Sequence, residues 1–164
     1  MTNKELLLDT LNKEVPIFVR VLEALPEDKL DWKPEEKSRT AKEMIQTFVG
    51  EAWMYNEVAQ GKDIDMSQQS EMAPFTNTMD SIKSFTSMME AAKMSIASMS
   101  DEAWNGDAKI VFPVGNWEDK RGAMLWGFLL DLIHHRGQLS VYIRPMGGKV
   151  PSIYGPSADS ASAM

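Results

Sequence analysis

Apolar residues recur at steps of three and four through four long stretches of the chain, the period of a helix with one buried face. In the first, Leu7, Leu11, Val15, Phe18, Leu22 and Leu25 mark a helix from about Asn3 to Leu25. Pro16 lies inside it. A proline removes one hydrogen bond and crowds the preceding turn, so a kink between Asn12 and Pro16, or two shorter helices, is expected. Pro26 opens a short helical turn reaching Leu30. The second stripe, Ala41, Ile45, Phe48, Ala52, Tyr55 and Ala59, predicts a helix to about Gln60, with Thr47 and Glu51 flanking the stripe and Gly61 closing it. Ser38 is the expected N-cap, without the glutamate three residues on that would complete a capping box. The third runs from about Phe75 to Met99 through Met79, Ile82, Phe85, Met89, Ala92 and Ile96. The fourth runs from about Glu118 to Arg144, stopped by Pro145-Met146-Gly147-Gly148.

Two irregular stretches separate these elements. Lys62 to Pro74 is polar, centred on Ser67-Gln68-Gln69-Ser70, and reads as a long crossover that lets the third helix run parallel to the second. Ser100 to Trp117 contains Gly106, Pro113 and Gly115; its Lys109-Ile110-Val111-Phe112 suits a short extended piece, too short for a sheet of its own. With no convincing strand and no internal repeat, the pattern predicts an all-α four-helix bundle, one domain over residues 1–156. Val150, Ile153 and Tyr154 are expected to hold the segment after the fourth helix against the bundle, and residues 157–164 to fray as a flexible tail. The fourth helix is apolar on nearly all sides, because Leu125, Trp126, Phe128, Leu129, Leu130, Leu132 and Ile133 cannot share one face. Three partner helices or a second copy must cover it, and a homodimer contact is the expected solution.

Composition narrows the function classes. The formal charge of −7 argues against a nucleic-acid binder, which needs a basic face. No uncharged apolar run approaches the roughly 18 residues of a membrane span. The start, Thr2-Asn3-Lys4-Glu5, lacks the basic and apolar regions of a secretory leader. The chain has no cysteine, which excludes disulfides, thiolate metal sites and a cysteine nucleophile, and fits a reducing cytoplasm. The 13 methionines are read as soft core filling.

Both histidines lie in Asp131-Leu132-Ile133-His134-His135-Arg136-Gly137-Gln138-Leu139. Met124, Phe128, Asp131, His135, Leu139 and Tyr142 share a helical face, so two ionisable groups fall within an otherwise apolar stripe. An unpaired charge buried there would cost several kcal/mol. Asp131 and His135 must therefore pair with each other, meet a metal, or line a wet cavity that takes a small-molecule ligand. His134 points about 100° away around the helix and cannot replace His135. Arg136 and Gln138 lie on other faces and are expected to tie the bundle, the tail or a dimer together. Tyr142 belongs to the core, and packing accounts for Trp32, Trp53, Trp104, Trp117 and Trp126 as well as a ligand pocket would.

The segment His134-His135-Arg136-Gly137-Gln138-Leu139-Ser140-Val141-Tyr142-Ile143-Arg144, followed by Met146-Gly147-Gly148-Lys149-Val150-Pro151-Ser152-Ile153-Tyr154-Gly155-Pro156-Ser157, resembles the end of DinB-like proteins. Ser38-Arg39-Thr40-Ala41-Lys42-Glu43 resembles, more loosely, the start of that family's second helix. The resemblance implies a four-helix bundle in an up-down-down-up arrangement, dimerisation, and a divalent metal, zinc or nickel, held by three histidines. It also implies, for some relatives, thiol-dependent S-transferase or hydrolase activity.

Carried over residue by residue, the family's helix-two histidine falls on Thr47 and its first helix-four histidine on Asp131; only His135 remains a histidine. A neutral hydroxyl is a weak ligand, so Thr47 is a poor third donor. Glu51, one turn further on, is chemically better but off the inherited position. The expected protein is thus DinB-like with no assigned reaction and a degenerate Thr47/Asp131/His135 site that binds metal weakly or not at all, Asp131 pairing with His135. The alternative is a metal-dependent hydrolase or thiol S-transferase using Asp131, His135 and a donor from helix two. No catalytic residue is assigned.

Overall fold

Thr2 and Glu5 start the first helix reciprocally: each side chain takes the other's backbone N–H, leaving two fewer bare donors at the helix start. The structure, a computed structural model, describes residues 1–67 and 74–160. Helix α1 spans Asn3–Glu23 without interruption. Pro16 therefore does not divide it. Pro16 and Asn12 lie on the exposed side, where a carbonyl freed by the proline can face water, while Val15, Ile17 and Phe18 clamp the buried side. A single 3₁₀ turn at Glu27–Lys29 follows Pro26.

Helix α2 spans Ala41–Ala59. Its N-cap is Thr40, not Ser38, and Glu43 completes a capping box, so the box missing at Ser38 is present two residues later. Gly61 follows the helix at φ +86°, a conformation that favours glycine. Helix α3 spans Thr78–Ser98, shorter at its start than the apolar pattern predicts, because the Asn77 side chain caps it; Phe75, before the cap, packs on the edge of the core beneath the Lys42 ammonium.

The all-α expectation is corrected at the next element. After the short helix α4, Asp101–Asn105, the chain forms β2, Asp107–Phe112, and β3, Gly115–Lys120. These pair antiparallel, and Ile64–Asp65 in the polar crossover adds β1 parallel to β2. The fold is thus mostly helical, with five helices and a three-stranded sheet among the described residues. Strand alternation explains the hairpin. Ala108 and Ile110 point into the core, while the cross-strand pairs Asp107–Lys120 (2.6 Å) and Lys109–Glu118 (2.7 Å) face outward. Helix α5 accordingly starts at Arg121 and runs to Ile143, and Glu118 belongs to the sheet.

Helices α1 and α2 each pack against both α3 and α5. Phe18, Phe48 and Phe85, from α1, α2 and α3, meet edge to face with centroids 5.9 Å apart, and Leu125, Leu129 and Leu132 close the core from α5. Two glycines let tryptophans onto α5. Trp104 covers Gly122, and a Cβ on Gly127 would lie 2.8 Å from the Trp117 ring. Two buried arginines fix α5 in place. Arg121 donates to Val58 O, Gly61 O and Ala103 O, placing its charge at the carbonyl end of α2. Arg136 meets Glu14 of α1 and the Tyr154 hydroxyl. Val150 and Ile153 pack on the core, and Asp159 accepts from Arg144 and from Val150 N. The middle of the crossover and the last residues of the expected tail lie outside the described residues.

Candidate metal centre

Glu51 on α2 meets Asp131 and His135 on α5 where those helices pack. His135 Nε2 lies 3.0 Å from Glu51 Oε1 and 3.7 Å from Asp131 Oδ1, and one donor atom from each residue falls within 4.8 Å of the others. His135 Nδ1 is 2.9 Å from Gln138 Oε1. A proton on Nδ1 donated to Gln138 leaves Nε2 as the nitrogen turned toward the two carboxylates.

Burial differs sharply across the trio. Glu51 is 5% exposed, His135 is half-buried, and Asp131 is exposed. Asp131 is therefore not in a buried stripe, as the spacing suggested. Met124, Phe128 and Leu139 of that stripe are buried, but the midpoint of α5 buries Leu129, Leu132 and Arg136, one step around the helix, which leaves Asp131 and His135 on the rim of a cleft. That cleft, about 520 Å³, is also lined by Arg39, Glu43, Thr47 and Met54.

The electrostatics follow from this placement. Burial raises the Glu51 carboxyl above its ordinary range, with the His135 hydrogen bond and charge opposing the shift. The hydrogen bond that His135 donates to the Glu51 carboxylate raises His135, against its own desolvation, with Gln138 helping. Glu51 Oε2 is buried and has no hydrogen-bond partner among the described residues. An unsatisfied buried carboxylate oxygen carries a desolvation penalty that a protein rarely leaves uncompensated.

The other sequence candidates lie as follows. Thr47 donates its hydroxyl to Glu43 O (3.0 Å) and accepts from Arg39 Nη1 (2.8 Å), so it faces Arg39 and is not part of the carboxylate–histidine trio. His134 is exposed, its ring 5.4 Å from that of His135. Arg136 ties α1 and the tail to α5. Gln138 instead bonds His135, a role that its i, i+3 spacing would have signalled. Arg39 was not singled out by sequence at all. Its aim depends on a side-chain rotamer that no periodicity encodes.

The sequence model of the DinB family matches residues 1–162. The chain belongs to the DinB family. The crystal structure of a DinB-like protein from Bacillus subtilis, YjoA, is 19% identical and superposes with a TM-score of 0.68 over 92% of this chain and 99% of that one, which shows the shared fold. No curated protein matches the chain. Among the described residues of this DinB protein, no helix is long and apolar enough to cross a membrane.

The residues present fit a divalent cation. Two carboxylates and one imidazole supply an oxygen-rich donor set, and the partnerless Glu51 Oε2 is the atom that most needs a cation.

Proposed function

We propose that this DinB protein holds a divalent cation between Glu51, Asp131 and His135 and uses it in a hydrolytic or thiol-transfer reaction. The observation that carries the reading is the buried, unpaired Glu51 oxygen beside an imidazole whose other nitrogen is already engaged. Gln138 would keep the Nδ1 proton in place, so that Nε2 presents its lone pair. Glu51, drawn from the core side, and Asp131, from the solvent side, would supply the balancing negative charge. A bound cation would supply Lewis acidity, lowering the pKa of a water or thiol that enters the cleft. Thr47 takes no part as a ligand on this reading.

The test is elemental analysis of protein purified without a metal-affinity step. A stoichiometric metal is expected, lost in Glu51→Gln and in His135→Ala but kept in Thr47→Val. Metal-free protein whose thermal midpoint ignores added zinc, nickel and manganese overturns the proposal; a ligand at a hundred times its Kd would stabilise by about 2.7 kcal/mol. One observation favours a second reading. The 3.0 Å Glu51–His135 contact already forms a hydrogen-bonded pair, which would be the endpoint in a DinB scaffold without chemistry.

We read the helices as the family's four-helix bundle in its up-down-down-up order, with the sheet added beside α5. The outward face of α5 supports a homodimer. Leu130 there is 61% exposed, and Trp126 is only half-buried.

A further inference from the structure

The metal reading leaves one cation in the cleft without a task. Arg39 immediately precedes the N-cap of α2, and both its ends are fixed. Its carbonyl accepts from the Tyr142 hydroxyl at 3.1 Å, and Tyr142 is packed edge-on against Trp32 with centroids 5.2 Å apart. Its guanidinium donates from Nη1 to Thr47, whose own proton goes to Glu43 O, so the Thr47 lone pair is turned toward the arginine. Arg39 is exposed, and among the described residues the protein uses one of the five N–H donors on its guanidinium. Arg39 forms no ion pair with a carboxylate among the described residues. Glu43, the nearest acidic neighbour along α2, spends its carboxylate on Thr40 N (2.7 Å) and Thr40 Oγ1 (3.0 Å). A positioned guanidinium with free donors is a ready partner for a planar anion.

Arg39 also stands where two cavities meet. It lines the cleft that holds Glu51 and Asp131, and a second cavity of about 450 Å³ walled by Pro34, Met44, Val141 and Tyr142. His135 lines both. A ligand held at Arg39 would reach the carboxylate–histidine trio on one side and an apolar wall on the other. Charge decides the kind of anion. Glu51 and Asp131 balance a divalent cation, and Arg39 adds one positive charge beside the acidic Glu43, so a singly charged ligand suits the cleft better than a dianion.

We propose that Arg39 anchors the substrate of this site, and that the substrate is a small monocarboxylate whose apolar body lies against Met44, Val141 and Tyr142. The proposal rests on the cation reading for the single charge of the ligand and for what happens next to it, while the contact to Arg39 stands on the hydrogen bonds above. Thr47 acts here as a positioning residue: it holds the guanidinium in the cleft.

Phenylacetate serves as the probe, titrated by calorimetry and by nitrogen-15 amide shifts into wild type, Arg39→Gln, Arg39→Lys and Thr47→Val. Each sample is used as purified and after metal stripping, with metal content measured on the same batch. Wild type should bind phenylacetate more tightly than acetate or inorganic phosphate, with shifts at Met44, Val141 and Tyr142. Arg39→Gln should lose about tenfold or more in affinity, the loss expected for a charge-assisted pair, while keeping its metal content and thermal midpoint. Arg39→Lys and Thr47→Val should fall between. Equal phenylacetate affinity in wild type and Arg39→Gln, tighter binding of phosphate, or no binding to either form of wild type overturns the proposal. A wild type that is metal-free as purified and whose midpoint ignores added metal, yet binds phenylacetate through Arg39, would sink the cation reading and leave the anchoring standing.

Discussion

Replacing Arg136 by leucine tests whether the fold is held where the structure says it is. Arg136 is 3% exposed and Glu14 is 6% exposed, so their ion pair lies inside the protein. Arg136 Nη2 donates to the Tyr154 hydroxyl at 2.6 Å, and that hydroxyl donates to Glu14 Oε1 at 2.8 Å, closing a triangle between α1, α5 and the tail. The guanidinium also lies over the Phe18 ring at 5.3 Å and the Tyr154 ring at 4.7 Å. Leucine removes all of this and leaves the Glu14 carboxylate buried with a single hydroxyl donor. Breaking a buried pair from one side costs about 3–5 kcal/mol, and the lost ring contacts place the expected value toward the upper end. Against a typical total of about 5–15 kcal/mol, that is a large share of the stability. The companion variant carries Glu14→Leu as well. With both charges gone, apolar side chains fill the space and most of the loss should return. Urea unfolding of wild type, both single variants and the double variant gives the coupling directly, provided the slopes agree. A single-variant loss below about 1 kcal/mol, or a double variant that merely sums the singles, would refute the argument that a buried charge is what the pair neutralises.

Two further outcomes follow from the same structure. The folded-state values of both Glu51 and His135 are raised, and a raised folded value contributes stability at low pH that is lost as the pH climbs through it. Metal-stripped protein should therefore melt at progressively lower temperature as the pH rises, from about pH 4.5 for the Glu51 share and from about pH 6.5 for the His135 share, and Glu51→Gln should flatten that slope; an unchanged slope in Glu51→Gln rejects the pairing. Bound zinc should reverse the trend, because its ligands must be deprotonated. For the dimer, Leu130→Glu should convert a two-copy species to a monomer in light scattering; a monomeric wild type contradicts the reading.

The four long helices were legible because each carries its apolar residues at one period, and packing rewards that period whatever the caps do. The boundaries were less so. Ser38 and Thr40 are both good caps, and the Glu43 that completes a capping box three residues after Thr40 is the sequence signal that separates them. The sheet was hidden for a physical reason. Its buried side rests on Ile64, Ala108 and Ile110, too few apolar residues to announce a period of two. Its outer side, with Asp107, Lys109, Glu118 and Lys120, has the composition of a solvated helix start. What selects a hairpin there is tertiary: Trp117 must reach Gly127 and Phe128 on α5, and a helix through Glu118 would carry it elsewhere.

At the site, the local half was readable and the remote half was not. Asp131 and His135 stand one helical turn apart on one element, so their spacing alone brought them together. The partner from α2 depends on how two helices slide past each other, and sequence alone left Thr47 and Glu51, one turn apart, both open. The geometry brings Glu51 to the imidazole and gives Thr47 a different duty, holding Arg39. That exchange bears on the degenerate cradle expected from the ligand positions. Where the resemblance implies three imidazoles, this junction carries two carboxylates and one imidazole, with a guanidinium at its rim. Such a donor set shifts relative preference from zinc and nickel toward harder cations such as manganese, and turns an electroneutral triad into one that can offset a divalent charge. On this reading the family scaffold kept its place for an ion and changed the kind of ion, and the kind of ligand, that the place suits.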